Sequence, residues 1–248
     1  MGNSSGAQIH PSAIIHPGAR IGAEVRVGPY CIIGEEVEIG DGTELMAHIF
    51  MEGPLRVGTA NKFFPYCSIG VVPQDLKFEG ERSETIIGSR NTIREFVTIH
   101  RGTKGGGAIT SMGDGNLLMA YTHVAHDCRI GNHNVLANGT TLAGHVIVED
   151  YTVIGAFSGI HQFSRIGRHS LLGAYSLVAK DVLPFSKTVS EREAKVFGIN
   201  SVGLKRHGFG PERREQVAHA IRLLTASGLN TSQAVEQSRE EIAGSEDV

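Results

Sequence analysis

Residues 9–39 read IHPSAIIHPGARIGAEVRVGPYCIIGEEVEI, and an aliphatic side chain recurs in this stretch at every sixth position: Ile9, Ile15, Ile21, Val27, Ile33 and Ile39. The phase continues through Leu45, Met51, Val57, Phe63 and Ile69, and survives at Ile87, Ile93 and Ile99. It slips by one residue, resumes at Met112, and runs on through Leu118, Val124, Ile130, Leu136, Leu142, Val148, Ile154, Ile160, Ile166, Leu172 and Val178. A period of six over most of a chain marks a parallel β-helix. Three hexads make a triangular coil of about 18 residues, stacked on the next at about the 4.8 Å strand spacing. The aliphatic residue points into the prism, and a small residue after it, such as Gly22, Gly28 or Gly34, lets the backbone turn. No coil can bury its apolar edge alone, so the array is stable only collectively. The period says nothing of the hand; general chirality favours right-handed crossovers.

Two segments break the phase. Residues 71–86, VVPQDLKFEGERSETI, carry Pro and charges, and residues 102–111, GTKGGGAITS, are rich in Gly. Both read as loops thrown out of the prism, where function concentrates on a rigid scaffold. The hexads stop after Val182, and 191–210 has no clear period. A helix is expected from Pro211, with Val217, Ile221 and Leu224 on one face and Gly228 as its stop. A second is expected from Thr231 to near Gly244. The expected organisation is a β-helix domain at 9–190, with loops 71–86 and 102–111, and a connecting and helical region at 191–248.

The chain has 248 residues and a formal net charge of −3, without the basic stripe of a nucleic-acid binder. Cys31, Cys67 and Cys128 are odd in number and widely spaced, so neither a disulfide framework nor a zinc knuckle is expected, and reduced thiols in a cytosol fit best. The N-terminus has no apolar leader and no apolar run long enough to span a bilayer exists, so a cytoplasmic protein without a membrane span is expected. There is no nucleophile elbow and no P-loop.

The densest polar cluster inside the repeat is Tyr121-Thr122-His123-Val124-Ala125-His126-Asp127-Cys128. Val124 is the inward residue, so His126, two places on, lies away from the core. Imidazole titrates near neutrality and can take a proton from a hydroxyl. A neighbouring carboxylate, Asp127, can fix its tautomer. A step of one coil from His126 reaches Gly144, whose backbone N–H could stabilise an oxyanion, with His145 beside it. A metal site built of histidines shared between subunits, as in gamma-class carbonic anhydrases, is a second reading, but the histidine pattern of those enzymes is absent. No metal and no cofactor are expected. His133, His169, His207 and His219 read as structural.

These residues carry a family likeness. The chain resembles the UDP-N-acetylglucosamine O-acyltransferases, which open lipid A biosynthesis, from about Ile9 to Gly228. The likeness rests on IHPSAII at 9–15, PQDLKF at 73–78, REFVTIHRGT at 94–103, NLLM at 116–119 and HVAHDC at 123–128. It continues with LANGTTLAGHV at 136–146, IHQF at 160–163, FGIN at 197–200 and GLKR at 203–206. Hexads alone are shared by many acetyltransferases; QDLK, the two-histidine run and IHQF together are specific. The resemblance implies a left-handed parallel β-helix with a small α-helical tail, a homotrimer, and active sites between subunits. It implies transfer of an (R)-3-hydroxyacyl chain from acyl carrier protein to the glucosamine 3-hydroxyl of UDP-N-acetylglucosamine.

By the same resemblance His126 is the general base, Asp127 the acid that orients it and Gly144 the oxyanion donor. Gln74, Asp75 and Lys77 in the first loop match sugar-binding positions, and His123, His145, His161 and Gln162 line the same cleft. Asn200 and Arg206 match nucleotide contacts, arginine suiting phosphate. The acyl chain is expected to follow coil-length steps from the hexad of His126 past Ile154 to Leu171 and to end near Ala174. Lys205, Arg206, Arg213 and Arg214 are expected to form a docking surface for the acidic carrier. The sequence departs from the family at His207, often arginine, and at Val202, often acidic, which bears on the nucleotide contacts. Other acceptors and donors fit the same pattern: a 3-amino analogue of the sugar, or a generic acetyl donor. The downstream N-acylating enzyme differs by a domain before its hexads, which here begin at Ile9.

Overall fold

In the computed structural model Ile21, Val27 and Ile33 each close a two-residue strand, Arg20–Ile21, Arg26–Val27 and Ile32–Ile33, and each strand lies in a different sheet. The structure describes residues 6–189, 198–245 and 247. The chain visits three sheets in rotation, of ten, nine and eight strands, and the pairings are parallel. The first sheet begins at Gln8–Ile9, the second at Ile14–Ile15 and the third at Arg20–Ile21. They are the three faces of a left-handed parallel β-helix. Gln8 pairs with Arg26 and Ile14 with Ile32, so one coil is three hexads, as the period requires.

The step lengthens only at the two insertions, where Lys62 pairs with Thr92 and Thr98 with His123. The first loop runs from Ser68–Val71 to Glu84–Ile87, the second from Thr98–His100 to Ile109–Met112. Both therefore leave the second sheet and re-enter the third, at one corner, in consecutive coils. Residues 84–86 and 109–111, counted with the loops from the broken period, are strand. Glu84 to Ile87 pairs residue for residue with Ile109 to Met112, because neighbouring ladders satisfy backbone groups that a loop would leave to water.

The hexad residues fill the prism: Phe63, Ile93, Leu118, Leu136 and Ile154 are all wholly buried. Burying each such side chain is worth about 1.5–3 kcal/mol. A second inward position at each corner takes smaller or polar residues. Asn61, Asn91, Asn116 and Asn134 form a buried column in which each amide oxygen accepts the backbone N–H one coil on, at 2.7–2.9 Å. The residue before that position turns with positive φ, as at Tyr66, Phe96, Tyr121, Asp127 and His145. Left-handed backbone at non-glycine residues costs of order 1–3 kcal/mol each, and stacked side chains offset part of it. Tyr30, His48, Tyr66, Phe96 and Tyr121 stack at 4.8–5.0 Å along the corner joining the first and second sheets. His133, Tyr151, His169 and Phe185 stack along the corner joining the third and first, which gives His133 and His169 structural work.

The outer faces differ in charge. The third sheet presents Arg20, Glu38, Arg56, Arg129 and Arg165, with Arg20–Glu38 and Arg56–Glu84 ion pairs. The outward residues of the second sheet are Ile14, Ile32, Phe50, Ser68, Thr98, His123, Thr141, Gly159 and Leu177, with no Lys, Arg, Asp or Glu among them.

A second compact unit begins near residue 192. Its helices are α1 (Ser201–Arg206), α2 (Pro211–Ala226) and α3 (Thr231–Glu241). α1 falls where no period was legible; six residues are too few to show one, and the Asn200 side chain nucleates it by accepting the Gly203 N–H. α2 opens on Pro211 as expected and is followed by Gly228 with φ +76°. Its buried face differs from the expected one: Ala220 and Leu223 are buried and Leu224 is 44% exposed. Small Ala220 and Ala234 let α2 and α3 approach along that stripe, one position round from Val217–Ile221–Leu224. α3 stops at Glu241, three residues before Gly244. Among the described residues no helix is long and apolar enough to cross a membrane.

Candidate active site

His126 and Asp127 occupy the corner from which the two loops emerge, after strand His123–Val124 and before Arg129–Ile130. Asp127 is the positive-φ corner residue (φ +60°), a conformation shared by equivalent residues all along the prism and therefore a property of the corner rather than of the site. Its side chain is fully buried, and its Oδ2 lies 2.8 Å from His126 Nδ1. A carboxylate only accepts, so the proton of this bond sits on Nδ1, and in the neutral ring the lone pair is on Nε2. Asp127 accepts also from the Thr103 hydroxyl at 2.6 Å and the Thr103 N–H at 2.9 Å, while its own N–H donates to Thr110 Oγ1 at 2.8 Å. A buried carboxylate needs such donors to hold its charge.

One coil on, Gly144 lies against the imidazole edge. A Cβ built there would stand 2.5 Å from His126 Cε1 and 2.7 Å from Nε2. The Gly144 N–H meets no acceptor among the described residues, while the next N–H, of His145, donates to His126 O at 3.0 Å. The His145 ring stands edge-on to His126 at 5.1 Å, stacks on Phe163 at 4.4 Å, and holds its Nε2 3.9 Å from Asp127 Oδ2.

Beside this corner the two loops enclose a cleft of about 820 Å³, lined by Asp75, Lys77, Glu79, Glu81, Thr103, Lys104, His145 and Phe163. Asp75 Oδ1 accepts the Lys77 N–H at 3.0 Å, which turns the loop tightly between them. Glu81 is held below the usual carboxylate range by the Lys104 N–H, then by its own and the Glu79 N–H groups, so one loop ties to the other. Gln74 is exposed beside Asp75.

Of the other expected residues, His123 lies on the outer face of the second sheet, its Nδ1 2.7 Å from Thr98 Oγ1, with the His100 ring edge-on at 4.9 Å. Burial pushes His100 down to about 4 and, with the nearby His126, lowers His123, so both are neutral partners. His161 and Gln162 lie two coils above His126, exposed, with His161 Nδ1 on Gln162 O at 3.1 Å. Asn200 and Arg206 belong to the second unit, as the cap and the last residue of α1. In that unit Arg213 is bound to Asp247 by two hydrogen bonds of 2.7 and 2.8 Å, with its guanidinium over Phe209.

The path expected for the acyl chain along one prism needs correction at Ile154 and in its coil count. Ile154 is wholly buried inside the prism, as its place in the inward series dictates, and cannot line an outer groove. Whole-coil steps from His126 lead to Gly144 and Gln162, not to Leu171 and Ala174. Leu171 is outward on the first sheet and Ala174 is exposed at the corner joining the first and second sheets, one prism face away from His126. That face carries a shallow apolar groove of about 290 Å³ over Thr141, Gly159, His161 and Leu177, where Gly159 lacks a side chain.

His126, Asp127 and His145 are the trio of described residues whose ligand atoms lie within 4.8 Å of one another and could hold a metal ion. The Asp127 oxygens, however, are already occupied by Thr103 and His126. Cys67 and Cys128 are pushed up to about 12 by burial and are not nucleophiles. Thr103, Thr110, Thr98 and His100 were not read from the sequence as site residues. Thr98, His100 and Thr103 all lie within REFVTIHRGT, the motif that carried part of the resemblance.

Residues 181–248 match the family model for the second domain of UDP-N-acetylglucosamine O-acyltransferase, and residues 109–144 match the bacterial transferase hexapeptide model. The fold resembles that of LpxA from Acinetobacter baumannii, at 44% identity and a TM-score of 0.73, over 94% of this chain and 90% of that one. It resembles the UDP-N-acetylglucosamine O-acyltransferase of Moraxella catarrhalis at 40% identity and a TM-score of 0.72, over 94% and 91%. A Francisella novicida UDP-N-acetylglucosamine acyltransferase is 38% identical with a TM-score of 0.74, over 94% and 87%.

Proposed function

Since the chain belongs to the UDP-N-acetylglucosamine O-acyltransferase family, we propose that it transfers an (R)-3-hydroxyacyl chain from acyl carrier protein to the glucosamine 3-hydroxyl of UDP-N-acetylglucosamine, the opening step of lipid A biosynthesis. The observation that carries the reading is the His126–Asp127 pair, with its Nε2 edge against Gly144.

His126 Nε2 takes the proton of the 3-hydroxyl as the oxygen attacks the thioester carbonyl. The Gly144 N–H donates to the oxyanion that forms. The tetrahedral intermediate collapses, the C–S bond breaks, and the imidazolium returns its proton to the leaving sulfur. Asp127 holds the tautomer and stabilises the imidazolium without taking the proton. Asp75, Lys77 and His145, which share the cleft, hold the sugar; Gln74, His123, His161 and Gln162 add contacts to the same substrate, and Asn200 and Arg206 take the nucleotide.

The working unit is a homotrimer. The outward strand residues of the second sheet include no Lys, Arg, Asp or Glu, and Ile14, Ile32 and Leu177 among them are 63%, 41% and 79% exposed. A largely uncharged face bordered by an aromatic ladder suits closed packing of identical chains. Such packing brings the corner of His126 in one protomer toward the corner of Ala174 in the next. The acyl chain then leaves Gly144 across the second sheet, over Gly159, toward an Ala174 corner. A cytoplasmic setting fits three buried free thiols and a carrier-protein donor.

The product mass tests the reaction. With UDP-N-acetylglucosamine and a panel of 3-hydroxyacyl carrier proteins, the acyl ester of the sugar nucleotide is expected. Turnover only with the 3-amino sugar, or only with an acetyl donor, would overturn the assignment.

A further inference from the structure

We propose that Thr103 is a positioning residue for acyl transfer, holding the Asp127 carboxylate in the orientation that aims His126. It rests on the reading of His126 as general base. Thr103 bonds both oxygens: its hydroxyl donates to Oδ2 at 2.6 Å, and its N–H donates to Oδ1 at 2.9 Å and Oδ2 at 3.1 Å. Both groups are out of water, Thr103 being 5% exposed and the Asp127 side chain 0%.

Asp127 Oδ2 has two imidazoles within reach, His126 Nδ1 at 2.8 Å and His145 Nε2 at 3.9 Å. A carboxylate is free to turn about its last bond unless both oxygens are engaged. The fork of N–H and O–H from Thr103 removes that freedom and fixes the choice of His126.

The Gly-rich loop is shaped for this contact. A Cβ on Gly106 would stand 2.0 Å from Asp127 Cγ and 2.3 and 2.4 Å from its oxygens. A Cβ on Gly102 would stand 2.9 Å from Oδ1 and 2.2 Å from the Ile109 nitrogen. Glycine at these two places lets the loop close over the carboxylate and bring Thr103 onto it. Thr110, which accepts the Asp127 N–H at 2.8 Å, anchors the same corner from the strand that follows the loop.

The test compares Thr103→Val, which keeps volume and N–H but loses the hydroxyl, with Thr103→Ser, which keeps both donors. Both are assayed as full-length folded protein, with kcat and KM for the sugar nucleotide measured separately and His126→Ala alongside. Thr103→Val is expected to lose about 10-fold or more in kcat, as for other groups that orient a functional histidine, with KM unchanged. Thr103→Ser is expected to turn over close to the native rate. Native turnover by Thr103→Val overturns the proposal. So does an equal loss in Val and Ser, or a loss carried by KM, either of which marks the loop as merely structural. If Thr103→Val does not fold, Gly106→Ala serves: its Cβ displaces the carboxylate while both Thr103 donors remain, and native turnover there overturns the proposal as well. An active His126→Ala would remove the base assignment itself. An inactive His126→Ala beside a fully active Thr103→Val would remove only the role of Thr103.

Discussion

Gly144 and His126, one full coil apart in sequence, are in van der Waals contact across the coil step, so close that a single added carbon on Gly144 would stand 2.5 Å from the imidazole Cε1. Gly144→Ala is therefore expected to push the ring off the Asp127 bond and lower kcat while the prism stays folded, since no hexad core residue is touched. Far-ultraviolet circular dichroism and single-turnover rates check this together. Native turnover by the alanine variant would show that the ring can move without cost.

His126→Ala is expected to lose roughly 10²–10⁴-fold in turnover, the usual worth of a positioned general base. His126 lies at a corner outside the hexad core, so the truncation leaves the prism folded, and the melting temperature should fall only by what the buried Asp127 carboxylate loses with one of its donors. Retained turnover would assign the base elsewhere.

Assembly should depend on the second sheet. Ile32 and Phe50 stand on its outer face, 41% and 38% exposed in the isolated chain. Ile32→Asp combined with Phe50→Asp places two carboxylates on the face proposed to meet a neighbouring protomer, and an unpaired buried charge is strongly disfavoured. Sedimentation is expected to show a trimer for the native chain and a monomer, without activity, for the double variant. A native chain that sediments as an active monomer would refute the assembly.

Acid should weaken the fold through His100. Burial lowers it from an ordinary 6.5 to about 4, with His123 and His126 adding to the shift and His123 itself lowered in the same sense. The unfolded chain therefore binds a proton that the folded chain refuses between these values. The stability contribution is whole above 6.5 and is lost as pH falls toward 4, by up to about 1.4 kcal/mol per pH unit. His100→Gln, which does not titrate, should show a flatter dependence of the urea midpoint on pH over that window. Parallel curves would show that His100 does not carry the effect.

Donor length should respond at Ala174. Its side chain is exposed at the corner joining the first and second sheets. With the acyl chain ending at this corner as proposed, Ala174→Met would take the place of several methylenes, each worth about 0.8 kcal/mol of apolar burial, and should shift preference toward shorter donors. An unchanged donor profile in a folded trimer would place the end of the groove elsewhere.

The period of six reports hydrophobicity, which each side chain carries by itself; this is why the inward series, the three-sheet coil and the one-coil step from His126 to Gly144 are legible in the sequence. The same series already assigns Ile154 to the core, so its reading as an acyl contact contradicted the pattern. Which corner a residue occupies within a coil is legible too, once the step is kept strictly at three hexads, and Ala174 fails that count from His126. Other features depend on the path of the backbone between distant residues, on which a local pattern is silent. Two insertions of different length leave the same corner in consecutive coils, and so form one cleft. Glycines 102 and 106 then let the second loop close until the Thr103 donors meet the Asp127 carboxylate. Sequence determined which face each side chain takes. Tertiary structure alone decided which donors reach the buried charge, because a hydrogen bond is set by angstroms of loop geometry and not by a repeat.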